Sequence, residues 1–165
     1  MATYKSGQSE VSNDFKPHPQ GNLGVRYGSF DLTAALATGD IIKMMHVYPN
    51  ETVMGFMLKT TDLDAGTAIT LSVGYGDLPA DLLAADTIGQ AGGTISHGMG
   101  NTGAMANGPV TFKASAAAGA SGNLVYAFDG VTKSQPNTTL DVKVVNGPSD
   151  TSVTTGKIEM WAFVS

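Results

Sequence analysis

The residues with types and spacings suited to chemistry fall into a few groups. Gly98-Met99-Gly100-Asn101-Thr102-Gly103 matches GxGxxG. A dinucleotide site needs a strand before that motif, a helix after it and an acid about 20 residues on. The preceding Thr94-Ile95-Ser96-His97 is a poor strand. The following Met105-Ala106-Asn107-Gly108-Pro109 is a poor helix start. The segment therefore reads as a glycine loop. Asp62-Leu63-Asp64-Ala65-Gly66 puts two carboxylates in one tight loop. Asp62 and Asp64 could take Ca²⁺ only if backbone carbonyls completed a shell of roughly 6–8 oxygens. The plainer reading is an Asx turn between strands.

The three histidines, His18, His46 and His97, lie in separate segments, without HxH or HExxH spacing. His46 falls in a strand, on the expected face of Ile42 and Met44, and reads as a satisfied, partly buried side chain. GxSxG is absent, so no nucleophile elbow is marked. With no cysteine, disulfides, thiolate metal sites and thiol nucleophiles are excluded. The expectation is a non-enzymatic chain without cofactor or metal.

Composition narrows the partners. Of nine Lys and Arg, Arg26 is the single arginine and the eight lysines are scattered, with a net charge of −5. Phosphate readers need Arg forks and clustered Lys, so direct nucleic-acid binding is not expected. The chain is 42% hydrophobic and 14% charged, which is a folded rather than a disordered composition. The opening MATYKSGQSE has no apolar core of a secretory signal, and no run approaches the ~20 residues that span a bilayer. Synthesis in a cytoplasm, with no membrane partner, is the expectation.

The 21 glycines predict many turns, and strand signals fill the space between them. Strands are expected over 25–32, 41–48, 52–60, 67–73, 110–114, 124–128, 138–145 and 157–164. Alternation is cleanest at Ile69-Thr70-Leu71-Ser72-Val73, at Leu140, Val142 and Val144, and at Ile158, Met160, Ala162 and Val164. The expected core is Ile42, Met44, Met54, Phe56, Leu58, Ile69, Leu71, Val73, Leu140, Val142, Val144, Ile158 and Met160. On the last strand Glu159, Trp161 and Phe163 share the other face, and two aromatics there suggest that this face is covered too. Residues 77–85 are the one helix candidate, with Asp77 as cap and Leu78, Leu82 and Leu83 as apolar face. Residues 89–108 read as loop. Met44, Met45, Met54 and Met57 cluster in two strands, as core filler or an adaptable interface.

About eight strands and almost no helix predict an all-β chain. A jelly-roll-like antiparallel sandwich is favoured, with an immunoglobulin-like sandwich as the alternative. Residues 25–165 form the sandwich domain. Residues 1–24 are polar, broken by Pro17 and Pro19, and aperiodic. They cannot form a core alone, so they read as an extended arm. Its isolated apolar residues Tyr4, Val11, Phe15 and Leu23 would anchor on a partner or a neighbouring subunit.

The stretch from Thr38 to Gly93 carries a resemblance. It reads TGDIIKMMHVYPNETVMGFMLKTTDLDAGTAITLSVGYGD, then ADTIGQAGG. It resembles the capsid decoration, or cement, proteins of tailed bacteriophages, which have a jelly-roll-like fold. The matching features are strands like Asp40–Met44 and Val53–Leu58, a DLD-x-G loop, a strand ending Val-Gly, and an IGQAGG-like segment. About a third of the chain is covered. The resemblance implies a structural virion protein on the capsid surface, bound to the major capsid protein and to itself as a homodimer or homotrimer. Other expectations are a tail, fibre or head-fibre base component, or a carbohydrate-binding sandwich using Tyr75 and Trp161 as aromatic platform.

Overall fold

Strand-forming, alternating segments dominate a computed structural model of the chain. It describes residues 1–6, 24–47, 51–76, 78–98, 110–114, 123–128, 131–136 and 139–165, with backbone alone for 78–79, 110–114, 123–128 and 131–136. Twelve strands are described. They are β1 (Thr3–Lys5), β2 (Gly24–Leu32), β3 (Ile41–His46), β4 (Thr52–Thr60), β5 (Thr70–Tyr75), β6 (Leu78–Asp86), β7 (Gly93–Gly98), β8 (Val110–Ala114), β9 (Asn123–Phe128), β10 (Val131–Pro136), β11 (Thr139–Asn146) and β12 (Gly156–Val164). Among the described residues the one helical element is the short 3-10 turn Ile88–Gln90.

The pairing is nested. β5 pairs with β6, β4 with β7, β3 with β11 and β2 with β12, all antiparallel. This is one long hairpin ribbon with its tip at β5–β6. Rolling it brings β12 against β4 and β11 against β5. Two sheets result, with cores β2-β12-β4-β7 and β3-β11-β5-β6. That order is a jelly roll, and the immunoglobulin-like alternative does not have it. A meander, β8-β9-β10, extends the first sheet from the start of β4. The buried face between the sheets holds Ile42, Phe56, Leu58, Ile69, Leu71, Val73, Leu82, Leu140, Val142, Val144, Ile158 and Met160.

Three sequence expectations are corrected. Residues 78–86 are a strand, not a helix. A nine-residue helix is marginal by itself, whereas the β5 edge offers a ready ladder. Two register shifts against β5 allow Leu82 and Leu83 both to be buried, and the Tyr75 hydroxyl donates to Asp81. Pro79 is tolerated because β6 is an edge strand. Within the expected loop 89–108, Gly93–Gly98 is a strand, matched to β4 over six residues. The eight strands of the roll are therefore not the eight expected: 110–114 and 124–128 belong to the added meander, while β6 and β7 complete the roll.

The third correction is Met54. β12 pairs with β4 in step from Thr60 to Gly55, then skips Met54 to join Val164 to Val53. This bulge turns Val53 into the core and leaves Met54 half-buried. Residues 1–6 are part of the sandwich, because β1 pairs in parallel with β3, adding a fifth strand to that sheet.

Candidate interaction surface

The outer face of the β2-β12-β4-β7 sheet carries three adjacent rows of side chains. Register places Val25, Phe163, Gly55 and Gly98 in one row. Tyr27, Trp161, Met57 and Ser96 form the next, then Ser29, Glu159, Lys59 and Thr94. Val25 is 55% exposed and Tyr27 37%; with Met1 they are the exposed large hydrophobics among the described residues. Trp161, Phe163 and Met57 are half-buried. The Tyr27 and Trp161 rings meet at 5.0 Å, tilted by 45°. Neighbouring exposed apolar side chains in one patch mark an interaction site, whereas scattered ones do not.

A polar row borders this patch. The Tyr27 hydroxyl donates to Glu159 Oε1 at 2.7 Å, Lys59 Nζ lies 3.1 Å from Glu159 Oε2, and Lys157 Nζ lies 3.7 Å from Oε1. The Tyr27 hydroxyl, and next Lys59, hold the Glu159 carboxyl below its ordinary pKa. Trp161 was legible from the sequence as an outward aromatic. Tyr27 was missed, although its alternation with Arg26 and Gly28 in β2 was a usable signal. Tyr75, the other expected sugar platform, is fully buried, so that pairing with Trp161 does not exist.

The Asp62/Asp64 loop is a structural staple. Asp64 Oδ1 accepts from the N–H groups of Gly66 (2.9 Å), Ser149 (3.1 Å) and Asp150 (3.4 Å) and from the Ser149 hydroxyl (3.2 Å). Oδ2 accepts from Ala68 (2.8 Å) and Ile69 (3.0 Å). Burial alone would raise this carboxyl's pKa. The N–H donors of Gly66, Ala68, Ile69 and Ser149 outweigh it and hold the group well below the usual carboxylate range. Both oxygens face donors, the wrong polarity for a cation. Asp62 Oδ1 accepts from Asp64 N at 3.1 Å, the expected Asx turn. Among the described residues no three His, Cys, Asp or Glu side chains are grouped to hold a metal.

The opposite sheet carries buried polar groups. Met44 is an extra residue in β3, since Asp141 pairs with Lys43 and Leu140 with Met45. The bulge places His46 opposite Thr139, on the outer face with Asp141, instead of with Ile42. His46 is buried and its Nε2 has no hydrogen-bond partner, so it is not the satisfied histidine expected. Its carbonyl accepts from Arg26 Nη1 at 2.8 Å, and Arg26 Nη2 pairs with Glu51. Asp141 accepts from Thr139 Oγ1 at 2.6 Å. Burial raises the Asp141 pKa to about 6, against the opposing pull of the Thr139 hydroxyl and Lys43. His97 stacks on Phe56 at 5.3 Å. Gly98, the first glycine of the GxGxxG match, is required by the fold: at φ 74°, a Cβ there would lie 2.5 Å from the Met54 carbonyl oxygen.

Of the expected arm anchors, Tyr4 lies on its own chain. It packs against the core, with its ring 5.4 Å from that of Phe30. Val11, Phe15 and Leu23 lie outside the described residues.

Solved structures of phage capsids contain this fold. A chain in the capsid of Ralstonia phage GP4 is 23% identical and superposes with a TM-score of 0.66, covering 99% of this chain and 97% of that one. A chain in the capsid asymmetric unit of cyanophage Pam1 is 21% identical, with a TM-score of 0.54 and coverage of 94% and 95%. At these identities the likeness is one of fold. The coverage makes both chains close to this one in length. No protein-family model matches the chain, and no curated protein matches it in sequence.

Proposed function

We propose that this chain is a capsid decoration protein of a phage: a non-enzymatic subunit that binds the outside of the shell and stabilises contacts between major capsid protein subunits. The observation that carries the reading is the near end-to-end likeness of its jelly roll to similarly sized chains in two phage capsids. Charge supports the outer position. A net charge of −5 with one arginine would be repelled by packaged phosphate on an inner wall. The contact face in this reading is the patch of Val25, Tyr27, Trp161 and Phe163.

The test uses particles lacking the chain. Purified protein is added, and sedimentation followed by gel densitometry gives its copy ratio to the shell protein. Many copies in fixed ratio, together with a higher temperature of DNA release, are expected. A few copies per particle would instead indicate a tail or fibre component, and no binding would refute a virion role. Val25→Ser with Tyr27→Ser should reduce occupancy at least tenfold while leaving the fold intact.

A further inference from the structure

The edge of β3 is a built socket for a short strand. Ile41 N–H donates to the Ala2 carbonyl at 2.9 Å, and Ser6 N–H donates to the Lys43 carbonyl at 2.8 Å. The Ser6 hydroxyl donates to the Met44 carbonyl. Ala2 N–H donates at 2.6 Å to Oδ1 of buried Asp40, whose Oδ2 accepts from Ala37 N–H at 2.9 Å. Between these ends, Thr3, Tyr4 and Lys5 run parallel to Ile41, Ile42 and Lys43, and the Tyr4 ring packs on Phe30. The socket thus reads a backbone and one aromatic side chain, and among the described strands β1 pairs with β3 alone.

The connection from this strand to the roll is far longer than its own socket requires. Ser6 bonds the Met44 carbonyl, and Gly28 sits so close to the same oxygen that a Cβ there would be 2.5 Å from it. Gly24 is four residues up the same strand, about 13 Å at ~3.3 Å per residue, so Ser6 and Gly24 are roughly 20 Å apart. Residues 7–23 join them, and a connection of that length reaches up to about 60 Å. Seventeen residues between consecutive strands is well above the usual few.

We propose that β1 exchanges between copies, so that Tyr4 of one copy fills the β3 socket of a neighbour. The contacts are the same in either arrangement, which makes exchange inexpensive wherever a second copy stands within reach. Tethering gives the strand's own copy an effective concentration on the order of millimolar. Neighbours present at that concentration therefore compete on equal terms. The inference goes beyond the decoration reading, since it needs a second copy and no particle.

The absence of cysteine makes the test clean. Thr3 and Ile41 are register partners, with Cα atoms about 4.8 Å apart, as for neighbouring strands. That separation falls within the disulfide range of roughly 4.4–6.8 Å. Thr3→Cys and Ile41→Cys are made as two single variants of distinguishable mass, mixed at about 1 mM and oxidised. A cross-linked heterodimer containing about a quarter of the chains or more is expected, as a simple competition between own and foreign strands implies. Adding Tyr4→Ala to the Thr3→Cys chain should lower that yield several-fold, because the ring that seats the strand is gone. The double variant Thr3→Cys/Ile41→Cys checks the socket within one chain. If it closes on itself while the mixture stays uncross-linked, exchange is refuted. If the double variant does not cross-link at all, the β1–β3 pairing itself is refuted.

Discussion

Asp141→Asn should stabilise the protein at neutral pH and do little in acid. Asp141 is 4% exposed, and burial raises its pKa from 3.8 to about 6. A carboxyl held at about 6 instead of 3.8 prefers its neutral form by roughly 3 kcal/mol. The folded pKa lies above the unfolded one, so this group's contribution to stability is fully present below about pH 4. It is lost as pH rises through about 6, and above that the folded state bears the whole cost of the buried charge. Asparagine removes the charge, and its amide oxygen can still accept from Thr139. The buried amide carries a desolvation cost of its own, so the expected net gain at pH 8 is smaller, about 1–2 kcal/mol. Urea unfolding of both proteins between about pH 4 and pH 8, followed by the fluorescence of the single tryptophan, measures it. Contributions from all other groups cancel in the difference between the proteins. A difference that does not vary with pH, or an Asp141→Asn protein that is less stable at pH 8, would refute the reasoning.

Asp64→Asn should lower the melting temperature markedly, because an NH₂ group would face the N–H donors that now converge on the carboxylate; Asp62→Asn should change it little. Since the Asp64 pKa is depressed, its stabilisation is present above the ordinary carboxylate range and fades as pH falls below it. Calcium or EDTA should leave the melt unchanged, and a calcium-dependent rise would overturn the staple reading. Leu71→Ala, at a fully buried site, should cost about 2–5 kcal/mol in urea unfolding. Gly28→Ala should cost about 1–3 kcal/mol, because its Cβ would collide with the Met44 carbonyl of β3 in the other sheet; an unchanged midpoint would show that β2 and β3 can separate freely there.

Much of the roll was legible because a strand that buries one face must alternate, and β5, β11 and β12 are written in that period, while β4 reads as an almost wholly apolar strand. Twelve of the thirteen expected core residues are buried for the same reason. The exception, Met54, sits at a bulge, and a bulge is a property of two strands in register, which no single segment encodes. β6 and β7 were misread because their local signals are weak. Leucines spaced 78, 82 and 83 suit a helix as well as a bulged strand, and Gly-Thr-Ile-Ser-His-Gly has little intrinsic preference. In both cases the open edge of a partner strand decided, the adjacent β5 for β6 and the distant β4 for β7. The candidate surface divides the same way. Trp161 and Phe163 showed as outward aromatics from the alternation of β12. Only the pairing of β2 with β12 sets Tyr27 and Val25 beside them and makes a patch. Asp64 shows the limit most plainly: its spacing from Asp62 allowed a cation site, and the folded chain closed that option by aiming N–H groups from its own loop and from the distant Ser149-Asp150 segment at the same carboxylate.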